Sequence, residues 1–172
     1  MTNTLPINIS FPPIADTHAS LLILGSMPSI KSLEQQQYYA HPRNAFWPIM
    51  SALFNMDNEL SYSQRCQHLI THHTAVWDVL KSCQRQGSLD VDIDSASMII
   101  NNFNSFLQHH PHIKKLVFNG GKAEQVFNQF VLPTLTEQQT TIPRLRLPST
   151  SPAHARCSQN EKLDIWRQAL TH

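Results

Sequence analysis

Four short apolar runs recur along the chain, separated by stretches whose apolar residues follow helical spacing. Ser20 to Leu24, Thr74 to Leu80, Ile113 to Phe118 and Ile142 to Leu147 are too short for buried helices and read as strands. Asn44 reads as the N-cap of a helix running to about Phe54, with Phe46, Trp47, Met50 and Leu53 facing inward. Further helices are expected from Ser61 to Thr71, Ser97 to His109, Lys122 to Val131 and Asn160 to Leu170, the last with Asn160 as its cap and Glu161 in its first turn. Residues 1–18 hold three prolines and no helical period, and read as an arm; residues 25–43 read as a long loop with a short helix near Ser32–Tyr38, and residues 81–95 as another loop. Strands alternating with helices predict an α/β fold of three layers, α/β/α, with a central four-stranded parallel sheet in a single domain spanning 1–172.

Composition narrows this only slightly. With 172 residues, 41% hydrophobic and 15% charged, the chain is long enough for one well-buried core. No run approaches the length needed to span a bilayer and no secretory leader is evident, so a cytoplasmic protein is expected. Cys66, Cys83 and Cys157 are odd in number and widely spaced, which argues against a disulfide framework or a cysteine metal site. The net charge of +1 hides an asymmetry: residues 1–111 carry 5 Lys/Arg against 8 Asp/Glu, and residues 112–172 carry 8 against 4. A mildly basic second half suits phosphate contacts without demanding them.

Several common chemistries are excluded. The four glycines, Gly25, Gly87, Gly120 and Gly121, allow neither a dinucleotide fingerprint nor a Walker loop. Ser149 and Ser151 lie in no nucleophile elbow. The adjacent pairs His72-His73 and His109-His110 point apart on any regular element and make poor metal ligands, and Asp90, Asp92 and Asp94 lack the glycine and distal glutamate of a calcium loop. No metal site is expected.

The candidate chemistry lies at two strand ends. Leu21-Leu22-Ile23-Leu24 stops in Gly25-Ser26-Met27-Pro28-Ser29, and Arg144-Leu145-Arg146-Leu147 stops in Pro148-Ser149-Thr150-Ser151-Pro152-Ala153. In a parallel sheet both loops fall at the carboxyl edge, where α/β proteins build their sites, and their small residues let backbone approach phosphates closely. Beside the first loop, Tyr38, Tyr39, Phe46 and Trp47 are either core packing or a stacking platform; Asn44 is either a plain cap or a site residue; Asp78 is either a solvated strand-end acid or a buried pocket acid.

Taken together these segments resemble the uracil-DNA glycosylase superfamily, most closely its hypoxanthine-DNA (deoxyinosine) glycosylase branch. The matching residues are Leu22 to Ser29, Tyr38-Tyr39-Ala40-His41-Pro42-Arg43-Asn44-Ala45-Phe46-Trp47, Val117-Phe118-Asn119-Gly120 and Leu147 to Ala153. The resemblance implies base flipping and no cofactor. It makes Asn44 the catalytic residue, and Gly25, Ser26, Met27, Phe46, Asp78 and Asn119 the base-binding set, with Phe46 stacking on the base. Pro28, Ser29, Pro148, Ser149, Thr150 and Ser151 are then the DNA-backbone set. Met27, Asp78 and Leu147 depart from the uracil-specific pattern, in which a water-activating Asp or Asn, a base-reading Asn and a His stand at or near these positions.

The expectation is a monofunctional glycosylase, monomeric, acting on DNA that contains a deaminated base and releasing hypoxanthine to leave an abasic site. Lys122 is expected to meet phosphate or solvent rather than to serve as a lyase amine. The rival readings are a uracil or mismatch glycosylase of the same fold, a non-catalytic nucleic-acid-binding domain, and an unrelated α/β enzyme with a small-molecule pocket.

Overall fold

A computed structural model describes residues 4–171. In chain order the main elements are β1 (Ile7–Ile9), β2 (Leu21–Gly25), α1 (Ile30–Gln35), α2 (Phe46–Phe54), α3 (Tyr62–Thr71), β3 (Thr74–Asp78), β4 (Leu80–Gln84), β5 (Ile99–Ile100), α4 (Phe103–His109), β6 (Lys115–Asn119), α5 (Gly121–Val126), α6 (Glu137–Thr140), β7 (Arg144–Leu147) and α7 (Gln159–Leu170). The expected sheet is present: β3, β2, β6 and β7 pair in that order, all parallel.

Alternation along these strands explains why their sequences are apolar throughout. Ile23, Val76, Val117 and Leu147 point into one buried cluster, which α2 and α7 cover with Phe46, Ile49, Met50 and Trp166. Leu22, Leu24, Ala75, Trp77, Leu116 and Phe118 point into the other, covered by Phe103, Phe106 and Leu107 of α4 and by Ala123 and Val126 of α5. Successive side chains of a strand leave on opposite faces, so a sheet sandwiched between two layers needs both sets apolar. The result is a three-layer α/β/α fold.

The structure departs from the sequence reading in six places. Residues 7–9 of the expected arm form β1, and Ile14 bridges Val76; residues 1–3 of that arm lie outside the described residues. The expected 81–95 loop begins as β4, which with β1 and β5 makes a second, antiparallel sheet in the order β1-β4-β5. The helix expected from Ser97 starts only at Phe103, because Ile99 and Ile100 pair with β4 and Asn102 caps the helix by accepting from the Ser105 N–H. The helix after Gly121 relaxes into a π-turn at Phe127–Val131, and α7 is capped by Ser158, in a reciprocal box with Glu161, rather than by Asn160. Finally, α2 starts at Phe46 with Ala45, not Asn44, at its N-cap position, and Asn44 sits one residue further out with its Oδ1 accepting from the Phe46 N–H.

One junction positions the site. After Asp78 the chain leaves the parallel sheet, with the Val79 N–H donating to Gly25 O at 2.9 Å and the Leu80 N–H to Ser26 O at 3.1 Å, and enters β4 of the second sheet. The ends of β2 and β3 are therefore held together where the two sheets diverge.

Candidate active site

The carboxyl edge of the parallel sheet opens into a cavity of about 470 Å³. Gly25, Ser26, Met27, Pro28 and Ser29 line it from the loop after β2, Asn44 from the entry to α2, Asp78 from the end of β3, Asn119 from the end of β6, and Ser149, Thr150 and Ser151 from the loop after β7. Two members of the expected set do not line it. Phe46 is fully buried beneath Tyr39, and Pro148 sits in the stem of its loop, where its carbonyl accepts from the Trp166 indole N–H at 3.0 Å.

Tyr39, and not Phe46, lines the cavity. Its φ of 54° lies in the left-handed region, uncommon for a residue with a bulky side chain and of the kind found at functional sites. Its ring lies on that of Phe46 with centroids 4.0 Å apart and planes 24° apart, so Phe46 backs Tyr39 and Tyr39 lines the cavity. The Tyr39 hydroxyl is buried, with the Asn119 amide and the Asp78 carboxyl as its polar neighbours. Burial, and then the neighbouring Asp78, push its phenol above the ordinary tyrosine range.

Asp78 is 3% exposed. The β2–β3 register sets it opposite Gly25, and the approach is close: a Cβ on Gly25 would stand 2.5 Å from Asp78 Oδ1 and 3.0 Å from the Tyr39 hydroxyl. Only glycine fits there. Asp78 Oδ2 is buried without a partner. Burial, with Asp90 adding repulsion and Arg85 opposing it, raises the Asp78 pKa to about 7.

Asn44 has a fixed orientation. Its Oδ1 accepts from the Phe46 N–H at 2.9 Å. A backbone N–H can only donate, so the amide oxygen is committed to the cap and the NH₂ group is the free end at the cavity. One residue on, the Ala45 N–H donates to Thr150 O at 2.9 Å and ties this wall to the opposite loop.

Asn119 works as a clamp. Its Oδ1 accepts from the Thr150 N–H at 2.8 Å and its Nδ2 donates to Thr150 Oγ1 at 2.9 Å, all buried. Helix α7 steadies the same loop: Lys162, only 4% exposed, donates from Nζ to Ser151 O at 3.0 Å. Gly120, at a φ of 98°, lets Ser149 approach to within 3.0 Å of where a Cβ would stand.

The remaining wall was not legible in the sequence. Ser88, Leu89, Asp90 and Val91 line the cavity from the segment after β4, and Ser26 Oγ donates to Asp90 Oδ1 at 2.6 Å. Arg85, 1% exposed, holds this segment by donating to the carbonyls of Pro28 and Ser88. His154 joins the lining beyond Ala153. Elsewhere, no group of three or more His, Cys, Asp or Glu among the described residues is placed to hold a metal ion, and no helix of the described residues is long and apolar enough to cross a membrane.

Fold and site together define an α/β/α protein built around one carboxyl-edge cleft, with an aromatic wall and a buried acid at its floor. The model of the uracil DNA glycosylase superfamily matches residues 12–170, and the chain belongs to that superfamily. It is 32% identical over 169 residues to a protein of Methanosarcina acetivorans named hypoxanthine DNA glycosylase, covering 96% of this chain and 99% of that one. It is 35% identical over 114 residues to a protein of the same name from Methanosarcina barkeri, covering 66% of this chain and 71% of that one. A solution NMR structure of a Methanosarcina acetivorans protein, named provisionally as a uracil DNA glycosylase, superposes with a TM-score of 0.77 at 30% identity, covering 97% of this chain and all of that one.

Proposed function

We propose that this DNA glycosylase releases hypoxanthine from deoxyinosine in DNA by hydrolysis, leaving an abasic site. The observation that carries the reading is an unpartnered buried oxygen at the cavity, Asp78 Oδ2, with the Asn44 amide and the Tyr39 ring among the same lining residues. Buried polar groups in folded proteins are almost always satisfied, and here a ligand would satisfy that oxygen. Hypoxanthine offers a donor at N1–H and acceptors at O6 and N7. An ionised Asp78 accepts from N1–H, and the Asn44 NH₂ donates to one of the ring's acceptors. Adenine, the base from which hypoxanthine arises by deamination, presents a lone pair at N1 and is repelled by the same carboxylate.

The target base must leave the duplex to reach this floor. Tyr39 then offers it an aromatic face, steadied from behind by Phe46. The loops at Pro28–Ser29 and Ser149–Ser151 receive the flanking phosphates. As the glycosidic bond breaks, negative charge gathers on the departing purine, where the preoriented Asn44 donor stabilises it. Water then adds to the cationic sugar carbon, and the proton it releases neutralises the departing purine anion. Among the described residues no lysine lines the cavity, which favours hydrolysis over an amine-dependent lyase step.

Labelled oligonucleotides carrying one deoxyinosine or one deoxyuridine test this directly. Strand breaks in the inosine strand that appear only after alkali are expected. Breaks confined to the uracil strand would move the enzyme to uracil, and breaks without alkali would make it bifunctional. The uracil reading stays as the alternative because uracil N3–H meets a carboxylate as hypoxanthine N1–H does.

A further inference from the structure

We propose that Trp47 and Ser32 are positioning residues for the base: they clamp the two peptide groups on either side of Tyr39 and so hold its ring flat on Phe46, facing the cavity. This inference rests on the glycosylase reading above, in which that ring receives the extruded base.

Tyr39 needs such a clamp. A left-handed backbone at a bulky residue is disfavoured by its own Cβ, and it persists only where the surroundings over-determine it. The bonds that do so fall on its neighbours. The carbonyl of Tyr38, in the peptide before Tyr39, accepts from the Trp47 indole N–H at 2.9 Å. The N–H of Ala40, in the peptide after it, donates to Ser32 Oγ at 3.1 Å. Rotating Tyr39 out of the left-handed region therefore breaks a bond on one side or the other.

The clamp is itself braced. Trp47 is 6% exposed and Ser32 2%, so water does not compete for either bond. Tyr62, on α3, accepts from the Tyr38 N–H at 3.1 Å through its hydroxyl and packs edge-on against Trp47, with the Arg65 guanidinium 4.6 Å from the centre of the indole. The Tyr38 hydroxyl donates to Pro12 O at 2.9 Å. Ser32 Oγ also accepts from Ser29 Oγ at 3.1 Å, which joins the aromatic wall to the loop after β2. Consecutive residues of α2 thus serve one tyrosine: Phe46 lies under its ring, and Trp47 holds the peptide before it. Trp47 does not line the cavity and acts through Tyr39 alone.

A double-mutant cycle tests this. Trp47→Phe keeps a buried aromatic and loses the indole donor; Ser32→Ala loses the acceptor for Ala40. Each is made in the wild type and in Tyr39→Ala, which has no ring to position, and kcat/KM is measured on a deoxyinosine strand beside the affinity for undamaged duplex of the same sequence. In the wild-type background each should lower kcat/KM by about two- to tenfold, the worth of one neutral hydrogen bond, with the affinity for undamaged duplex unchanged. In the Tyr39→Ala background each should change kcat/KM by less than about twofold. A merely structural role would lower both backgrounds alike, and so would a direct contact of Ser32 with the base; either result, or no loss in the wild-type background, overturns the clamp and leaves the glycosylase reading standing. Should Trp47→Phe fail to fold by far-UV circular dichroism, Ser32→Ala decides the question alone. A wild-type chain that releases no hypoxanthine overturns both readings.

Discussion

Tyr39 lies flat on Phe46, ring centroids 4.0 Å apart, and only Tyr39 touches the cavity. The two aromatics should therefore fail differently when truncated. Phe46→Ala removes a fully buried ring and should cost about 3–5 kcal/mol of stability in urea denaturation. Tyr39→Ala should weaken binding of lesion-containing DNA by about 1–3 kcal/mol, the usual worth of base–aromatic stacking, with a smaller effect on stability. A Tyr39→Ala variant that binds as tightly as wild type would remove the stacking role.

Asn44 commits its side-chain oxygen to the Phe46 N–H and leaves its amide nitrogen at the cavity. Asn44→Asp keeps an oxygen for the Phe46 N–H and loses the amide donor. Its thermal stability should stay near that of wild type while excision falls about 10²–10³-fold, the usual loss for one preoriented donor. Single-turnover rates on deoxyinosine DNA measure this, and full activity in the Asp variant would reduce Asn44 to a cap.

Asp78 sets a pH dependence whose sign is fixed by its burial. Its pKa in the fold is about 7, well above the value near 3.9 of an unfolded chain. The fold thus favours the neutral acid: the associated stability is fully present below the unfolded value and is lost as pH rises through about 7. In the proposed reading it is the ionised form that accepts from the base, so excision should rise as pH passes through about 7. Asp78→Asn should be more stable than wild type at pH 8 by a few kcal/mol, with a smaller gain at pH 5, and should show no rise in activity through pH 7. Paired denaturation and rate profiles decide it.

Gly25→Ala would place a methyl 2.5 Å from Asp78 Oδ1. The acid or the strand end must shift, and a displacement of about 1 Å at a reacting site costs roughly 10²-fold. Excision should fall by that order while far-UV circular dichroism remains native.

Asn119→Ala removes both buried bonds to Thr150. The loop after β7 should loosen, with about 1–3 kcal/mol lost from stability and KM for DNA rising more than kcat falls. A selective loss of kcat would instead place Asn119 at the reacting base.

The strongest sequence signals came from residues whose local pattern and tertiary role agree. The runs ending at Leu24 and Phe118 are apolar at every position because both faces of the sheet are covered, and the loops after β2 and β7 follow from where parallel strands end. Tyr39 was harder: two adjacent tyrosines look alike in sequence, and only the left-handed backbone at the second distinguishes it. The segment after Asp78 was harder still. Lys81-Ser82-Cys83-Gln84 is polar enough to read as a loop, and the partners of this strand, Ile7–Ile9 and Ile99–Ile100, are too short to announce themselves. Nothing local marks Arg85 as buried, since its carbonyl partner at Pro28 lies far back along the chain.

Strand β7 bears on how the chain reaches this state. It is the last strand of the parallel sheet to be made, it covers β6, and the loop it carries closes the cavity. Sheets assembled from such distant segments fold slowly. Until β7 docks, β6 presents an unpaired apolar border of the kind that recruits other chains. Once docked, β7 turns Arg144 and Arg146 to solvent, and like charges on that border discourage a second molecule from pairing there. The strand that completes the cavity thus also sets two arginines on the exposed border of the parallel sheet.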